Sequence, residues 1–249
     1  VTMFIIFIYF YAKIYPDSCP AIETARSRSE IYIEAFKNII PPLILILLVL
    51  GSILLGVATP TESASVGAAG AAILAFTKGE LTFKNLKDVS FNTVKLSSFV
   101  FVILIGASMF SLVFRGFKGD ELIERVLSTL PGGQVGALVI VMLAIFFLGF
   151  FLDYIEIIFV IVPLVGPVLI ANGADPLWLG IMISLNLQTS FLTPPFGFSL
   201  FFLRGVAPPE IQTKNIYRGV LPYIGIQIIA LIIVGFIPEI ATWLPRSIF

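Results

Sequence analysis

Two segments decide the fold: LGFFLDYIEIIF (residues 148–159) and LNLQTSFLTPPFGF (residues 185–198). The first places Asp153 and Glu156 within strongly apolar sequence. An ionised carboxylate at the centre of a bilayer costs about 3 kcal/mol or more unless a partner or a water-filled cavity receives it. We therefore expect both carboxylates to have a specific polar environment.

The composition predicts a polytopic membrane protein built from helices. Of the 249 residues, 58% are hydrophobic and only 12% are charged, which is more apolar surface than a soluble domain of this size buries. Lysine and arginine together equal aspartate and glutamate, so the net charge indicates no nucleic-acid partner.

Several classes of chemistry are excluded by residue type. The chain has no histidine and one cysteine, Cys19, so it has no Ser-His-Asp or Cys-His triad, no zinc cluster and no internal disulfide. It also lacks a GxxxxGK[ST] phosphate loop. We expect Cys19 to be incidental, no cofactor to be bound, and the chain not to be an enzyme.

The apolar run over residues 135–171 is too long for one simple span. As a single helix it would measure about 55 Å, nearly twice the roughly 30 Å hydrocarbon thickness. We favour a re-entrant hairpin of two half-helices with residues 153–156 at its tip. One continuous helix with a long buried extension is the alternative.

The helix predicted over residues 177–204 is interrupted by Thr193-Pro194-Pro195. Tandem prolines remove two amide donors and push the preceding residue out of helical geometry. Two interrupted helices would then face each other, as they do at ion sites of secondary transporters. The neutral oxygens beside this break suit Na⁺: Gln188, Thr189, Ser190 and Thr193. Alternatively, the prolines only kink a helix and the hydroxyls only satisfy its backbone.

The first half of the chain is predicted as helices joined by polar segments. Residues 2–15 are the end of a membrane helix, residues 16–38 a solvated or interfacial loop with a short helix, and residues 39–57 a span. Thr59 and Glu62 have the spacing of a capping box, with Thr59 as the N-cap. Pro60 takes the first helical position, which tolerates proline. The next helix carries small residues suited to close packing: Gly67, Ala68, Ala71 and Ala72.

The remaining elements follow from hydropathy. Residues 78–95 and 119–130 read as amphipathic interfacial helices on either side of a span at 96–114. Residues 131–133 (Pro-Gly-Gly) then turn the chain into the hairpin, and residues 217–236 form the last span. Trp243 and Arg246 fit an interfacial anchor. We expect five regions: 1–38, 39–95, 96–133, 134–206 (the transport region) and 207–249.

Basic residues predict the orientation. If 39–57 and 63–77 are two crossings, the basic loops around residues 26–37, 78–95 and 204–218 share one side, which should be cytoplasmic. The hairpin and the C-terminus then face the periplasm, with Arg115, Lys118 and Arg125 on the less favoured side. Val1 is not a methionine, so we expect the natural N-terminus to lie upstream.

Three motifs together resemble one family: GVATPTESASVGAAGA, GFFLDYIEIIFVIVPLVGP and LNLQTSFLTPPFGFSLFFLRGVAP. They are similar to the C-terminal repeat of the large membrane subunit of tripartite ATP-independent periplasmic (TRAP) transporters, and nearest the branch labelled for mannitol/chloroaromatic or 2-oxo acid uptake. The resemblance covers residues from about Pro41 to Pro222. It implies one inverted repeat of an elevator-type fold, with the other repeat upstream.

The resemblance also implies a function and partners. It predicts Na⁺-coupled uptake of an organic acid anion that a periplasmic substrate-binding protein delivers, together with a small membrane (Q) subunit, in the inner membrane of a bacterium or archaeon. By motif, residues 152–156 and 188–195 would form one Na⁺ site and half of a substrate site. The candidate ion ligands are Leu152, Asp153, Glu156, Gln188, Thr189, Ser190 and Thr193. The candidate substrate contacts are Asp153, Thr193, Pro194, Pro195 and Arg204.

Two other interpretations remain at this point. The chain could be an assembly subunit that binds partners through residues 81–95 and 119–130 but transports nothing. It could also be an intramembrane hydrolase with Asp153 and Glu156 as an acid–base pair, although no nucleophile accompanies them. Arg204 could contact a substrate carboxylate or simply extend to the membrane interface.

Overall fold

The computed structural model describes residues 1–18, 27–194, 197–208 and 210–248. Cys19 and Pro195 lie outside these residues. The described helices are α1 (Thr2–Ile14), a 3₁₀ turn (Pro16–Ser18), α2 (Arg28–Leu54), α3 (Pro60–Thr77), α4 (Phe83–Gly116), α5 (Gly119–Ser128), α6 (Gly133–Leu148), α7 (Tyr154–Glu156), a π-helical segment (Ile157–Ile161), α8 (Val162–Ala171), α9 (Pro176–Leu192), α10 (Phe198–Val206), α11 (Thr213–Phe236) and α12 (Glu239–Ile248).

The described part of the chain contains no strand, and several of its helices are suited to a bilayer. Four are long and apolar enough to cross a membrane: Ser29–Leu54, Phe83–Gly116, Tyr154–Ala171 and Thr213–Phe236. A fifth candidate is the pair α5 and α6, bent by 119° at residues 129–132, where Gly132 has a φ of 91°. The prediction of an all-α polytopic membrane protein is confirmed, as is the turn at Pro131-Gly132-Gly133.

Residues 9–97 form one compact unit, in which α2 packs against α3. A Cβ atom at Gly70 would lie 2.3 Å from Leu45 Cδ1, and one at Gly67 would lie 3.2 Å from Val49 Cγ2. The fully buried Ser63 shares a 2.8 Å hydroxyl hydrogen bond with Ser52. Small residues therefore bring these two helices close together, as small residues do in membranes.

The predicted capping box at the start of α3 is present. The Glu62 amide donates to Thr59 Oγ1 at 3.3 Å, and Glu62 Oε2 accepts from the Thr59 amide at 2.8 Å. Pro60 occupies the first helical position, where its missing amide costs no hydrogen bond. This cap therefore determines the residue at which α3 begins after the turn from α2.

Two predictions about helix boundaries are wrong. Residues 28–38 were expected in a loop with a short helix, but they form the first part of α2 and continue directly into the next span. Helix α2 starts at a second capping box, formed by Ser27 and Glu30. Residues 83–95 were expected as an interfacial helix separate from the span at 96–114, but Phe83–Gly116 is one helix of 34 residues, about 51 Å long. In both cases only the polarity changes along the helix, and polarity alone does not interrupt backbone hydrogen bonds.

The second unit comprises residues 1–8 and 98–249. Its core is formed by α6, α8 and α9, with α5 covering the two arms of the hairpin. On α5, Leu127 is 6% exposed, and Ile123 packs against the same core. The hairpin therefore covers this part of the apolar face of the predicted interfacial helix, while Leu122 and Val126 are exposed.

Helix α9 is central because it contacts α6, α10, α11 and α12. Its N-cap is Asp175, whose Oδ1 accepts from the Trp178 amide at 2.9 Å. Trp178 Nε1 donates to the Val234 carbonyl at 2.8 Å, which joins α9 to the end of α11. Arg246 forms a 2.7 Å ion pair with Asp175 Oδ2, and Trp243 is exposed; the interfacial anchor formed by these two residues stays a prediction.

Candidate functional site

The two predicted helix interruptions exist and lie side by side. Helix α6 ends at Leu148, and the next helical residue is Tyr154. Helix α9 ends at Leu192, and α10 begins at Phe198. A Cβ atom built on Gly149 would lie 2.2 Å from Ser190 Oγ, and the Tyr154 and Phe191 rings meet edge to face, with centroids 6.3 Å apart.

The hairpin break is stabilised by the carboxylate that the sequence placed at its tip. Asp153 has an extended backbone, with φ −69° and ψ 157°, and its Oδ1 accepts from the Tyr154 amide at 2.7 Å. Asp153 is thus the N-cap of the second arm. Glu156 and Leu152 are both half-buried, and the Leu152 amide donates to the Leu148 carbonyl at 2.9 Å.

The second break starts where the residue before a proline leaves helical geometry. Thr193 has φ −88° and ψ 123°, as expected for a residue that precedes Pro194. Its hydroxyl donates to the Thr189 carbonyl at 2.8 Å. Pro194 follows in a turn. Gly197 lies close to the end of α9, since a Cβ atom there would lie 2.4 Å from the Phe191 carbonyl oxygen.

The predicted ion ligands on α9 face different neighbours. Ser190 is fully buried against the hairpin break, and its hydroxyl donates to the Leu187 carbonyl at 2.9 Å. Thr189 is 1% exposed and faces α11, where its Oγ1 lies 3.0 Å from Gln227 Oε1. Gln188 is exposed and lies about 200° around the helix from Ser190.

Gln188 lines a separate cavity of about 220 Å³ together with Gln227 and Ile226. The structure therefore brings Ser190 and Thr193 to the two breaks but turns Gln188 away from Ser190. The ion-binding role of each residue stays a prediction.

Arg204 is exposed in the last turn of α10. Its Nη1 donates to the Ile211 carbonyl in the loop that follows the same helix. This contact closes the connection between α10 and α11. A substrate contact for Arg204 stays a prediction.

Helices α6 and α9 run in the same direction beside each other. Asn186 Nδ2 donates to the Met142 carbonyl at 2.7 Å, and four residues later along α9, Ser190 meets Gly149. Both helices therefore end at the same level. Each C-terminus carries a partial charge of about −0.5 from the aligned peptide dipoles of its helix, so the adjacent breaks favour a cation.

Three residues of this region escaped the sequence analysis. Gly149 lies directly against Ser190 of the second break. Asn186 donates a buried hydrogen bond to the Met142 carbonyl of α6, and Gln227 accepts one from the Thr189 hydroxyl. A usable signal existed for Gln227, because it is a lone amide in the apolar run GIQIIALIIV, and polar side chains inside membrane helices commonly bond to neighbouring helices.

Comparison with known proteins identifies the family of this chain. The family described as the tripartite ATP-independent periplasmic transporter, DctM component, matches residues 1–240. Similar proteins include the C4-dicarboxylate TRAP transporter large permease protein DctM of Vibrio cholerae, which is 30% identical, with 86% of this chain and 51% of that protein covered.

The sialic acid TRAP transporter large permease protein SiaM of Vibrio cholerae is also 30% identical, over 86% of this chain and 49% of that protein. The sialic acid TRAP transporter permease protein SiaT of Haemophilus influenzae is 27% identical, over 90% of this chain and 36% of that protein. The chain thus spans about half or less of the length of these relatives. They are permeases rather than enzymes, which removes the hydrolase interpretation. The chain belongs to the DctM-component family of tripartite ATP-independent periplasmic transporters.

Proposed function

We propose that this chain contributes one half of the transport pathway of a Na⁺-coupled uptake system for a small organic acid anion. The observation that carries the proposal is the contact between the two helix breaks at Gly149 and Ser190. Non-helical backbone at membrane depth is tolerated where protein buries it or where it lines a polar cavity. Secondary transporters hold substrate and coupling ion at such interrupted helices.

The arrangement of helix ends supports a division of roles. The C-terminal ends of α6 and α9 offer carbonyl oxygens and partial negative charge to Na⁺. The N-terminus at Tyr154 offers partial positive charge to a carboxylate, but the Asp153 side chain already accepts from its amide. Asp153 therefore limits anion binding at this end unless its side chain moves.

Ser190 and Thr193 are the side chains we assign first to the ion site. Both lie at the breaks, and each hydroxyl uses its hydrogen on a helix carbonyl, which leaves oxygen lone pairs as acceptors. Backbone carbonyls at 149–152 would complete the coordination. Thr189 bonds to Gln227 of α11 instead of lying at the breaks, so we consider it a weaker candidate for the ion site.

Partners and location follow from family membership as proposals. The named acids of the relatives support an organic acid as substrate. A periplasmic binding protein would deliver it, a small membrane subunit would assist, and the assembly would lie in the inner membrane with its basic loops in the cytoplasm. The motion would be an elevator-like displacement of the hairpin and broken helix.

Reconstituted uptake tests the proposal. The complete large subunit, its small partner and its binding protein are placed in proteoliposomes, and uptake of labelled organic acids is measured with and without an inward Na⁺ gradient. Uptake that requires both Na⁺ and the binding protein is expected. Uptake indifferent to both would overturn the proposal, and complex formation without any uptake would favour an assembly subunit.

A matched pair of serine variants tests the ion site within that assay. Ser190→Ala removes a hydroxyl at the breaks, whereas Ser184→Ala removes an exposed hydroxyl that bonds the Gly180 carbonyl on the same helix. We expect Ser190→Ala to raise the Na⁺ concentration for half-maximal uptake about tenfold, the loss of about 1.4 kcal/mol. Equal Na⁺ dependence of the two variants would remove Ser190 from the site.

A further inference from the structure

A groove between α4 and the second arm of the hairpin is not used by the transport proposal. It has a volume of about 390 Å³, within the roughly 300–1,000 Å³ of ligand clefts. Five of its eight lining residues are apolar, among them Leu104 and Leu112 of α4, Phe159 of the π-helical segment and Pro163 of α8. We name it the α4 groove.

One face of α4 adds polar groups to this groove. Ser108, Ser111 and Arg115 all line it, and their spacings of three and four residues place them along one helix face. Ser108 donates to the Leu104 carbonyl at 2.8 Å. Arg115 stands in the last turn of α4, where its Nε forms an exposed ion pair with Asp120 Oδ2 at 4.0 Å, a distance longer than a hydrogen bond.

The length of the α4 groove matches one leaflet of a bilayer. From Leu104 to Arg115 the helix rises about 16 Å, close to half of the roughly 30 Å hydrocarbon thickness. The charged end therefore falls at a membrane interface when the apolar end reaches the midplane. A small soluble anion would need only the arginine end, whereas an acyl chain would fill the apolar length as well.

We propose that the α4 groove binds an anionic phospholipid. Its phosphate contacts the Arg115 guanidinium and the Ser111 hydroxyl, which lie one helical turn apart, and one acyl chain runs towards Leu104 against Phe159. Basic pockets between membrane helices bind anionic head groups, and Arg115 is the basic residue among those that line this groove. The inference needs the membrane location of the chain but not Na⁺-coupled transport.

Native mass spectrometry of the purified full chain tests the proposal, with phosphatidylglycerol and phosphatidylcholine added at equal amounts. We expect phosphatidylglycerol to bind preferentially and Arg115→Gln to lower its bound fraction about fivefold, the effect of losing one basic contact. The matched control is Arg125→Gln, because Arg125 is an exposed basic residue on α5 that does not line the groove. Its bound fraction should stay within about twofold of the wild type.

A second variant tests the apolar part of the groove. Ser108→Trp fills the groove without changing its charge, and it should also lower phosphatidylglycerol binding. Equal losses for Arg115→Gln and Arg125→Gln, unchanged binding by Ser108→Trp, or equal binding of phosphatidylcholine would each overturn the proposal. Displacement of the lipid by inorganic phosphate would instead identify a site for a free anion, and displacement by the small membrane subunit alone would identify a protein interface.

Discussion

Replacement of Gly149 by alanine tests the contact between the two helix breaks. Gly149 has φ −65° and ψ −6°, which alanine adopts without strain, so any cost must come from packing. The new Cβ atom would lie 2.2 Å from Ser190 Oγ, 3.0 Å from Ser190 Cβ and 3.4 Å from the Ile145 carbonyl oxygen. Ser190 is fully buried, so it has little room to move away.

The expected magnitude is that of overpacking a core. Added methyl groups at well-packed positions cost about 1–3 kcal/mol, which for a chain of this size lowers Tm by about 2–12 °C. Gly180→Ala is the control, because Gly180 lies inside α9 with no atom within 4 Å of its Cβ position. That substitution should raise stability by up to about 1 kcal/mol, since alanine favours helix.

Thermal unfolding of the purified chain in detergent compares the two variants. The reasoning also predicts coupling: Gly149→Ala combined with Ser190→Ala should be less destabilised than the sum of the single changes, because the closest atom is removed. If Gly149→Ala melts at or above the temperature of Gly180→Ala, the close approach of the two breaks is refuted.

Two further predictions concern the contacts of α9. Thr189→Val should lower the free energy of unfolding by about 1–3 kcal/mol, because it leaves the buried Gln227 amide without this partner. Thr189→Val combined with Gln227→Leu should be nearly neutral. Unfolding of both variants in detergent checks this, and equal losses of stability would contradict it. The Trp178 amide and then the Arg246 guanidinium hold the pKa of Asp175 below its ordinary value of 3.8. A lowered pKa stabilises the folded state above the unfolded pKa, and the benefit is lost as pH falls through the folded one. The Tm advantage of wild type over Asp175→Asn should therefore be present near pH 7 and shrink below about pH 4; an advantage that does not change with pH would count against the ion pair and cap.

Proline alone does not decide where these helices break. Pro194 marks a true break, and Thr193 before it adopts extended geometry. Yet Pro41 and Pro42 lie inside the continuous helix α2. The carbonyl partners that they forgo belong to Lys37 and Asn38, which are exposed, so solvent can satisfy them. Tandem prolines permit a break, and the surroundings decide whether it occurs.

Polarity and backbone geometry diverge in the same way at α4. The lysines of residues 84–95 indicated a separate interfacial helix, but no proline or glycine stands between Phe83 and Leu104 to end the hydrogen-bond ladder. The start of α2 carried a readable signal, Ser27-x-x-Glu30, which the charge of its neighbours obscured. Composition therefore predicts whether water or lipid surrounds a helix better than it predicts where the helix begins and ends.

The site was predictable in its location but not in its contacts. Interrupted helices leave local signatures. The second break lies at the predicted Thr193-Pro194, whereas the hairpin break covers residues 149–153, with Tyr154–Glu156 of the predicted tip already helical. Which face of α9 meets which neighbour depends on pairs far apart in the chain, such as Asn186 with Met142 and Thr189 with Gln227. Without those pairs, Gln188 and Ser190 looked equivalent, although they lie on nearly opposite faces of one helix.

The π-helical segment Ile157–Ile161 changes how the second hairpin arm should be read. A π turn accommodates one residue more than an α turn, so it shifts the helical register by about 100°. A single helical wheel drawn through residues 154–171 therefore places some side chains on the wrong face. The side chains near the tip and those of α8 need separate wheels, offset by this rotation. Deleting a single residue here, which would restore regular α geometry, would rotate Asp153 and Glu156 relative to α8. The two carboxylates would then contact different neighbours, although the composition of the arm would be almost the same.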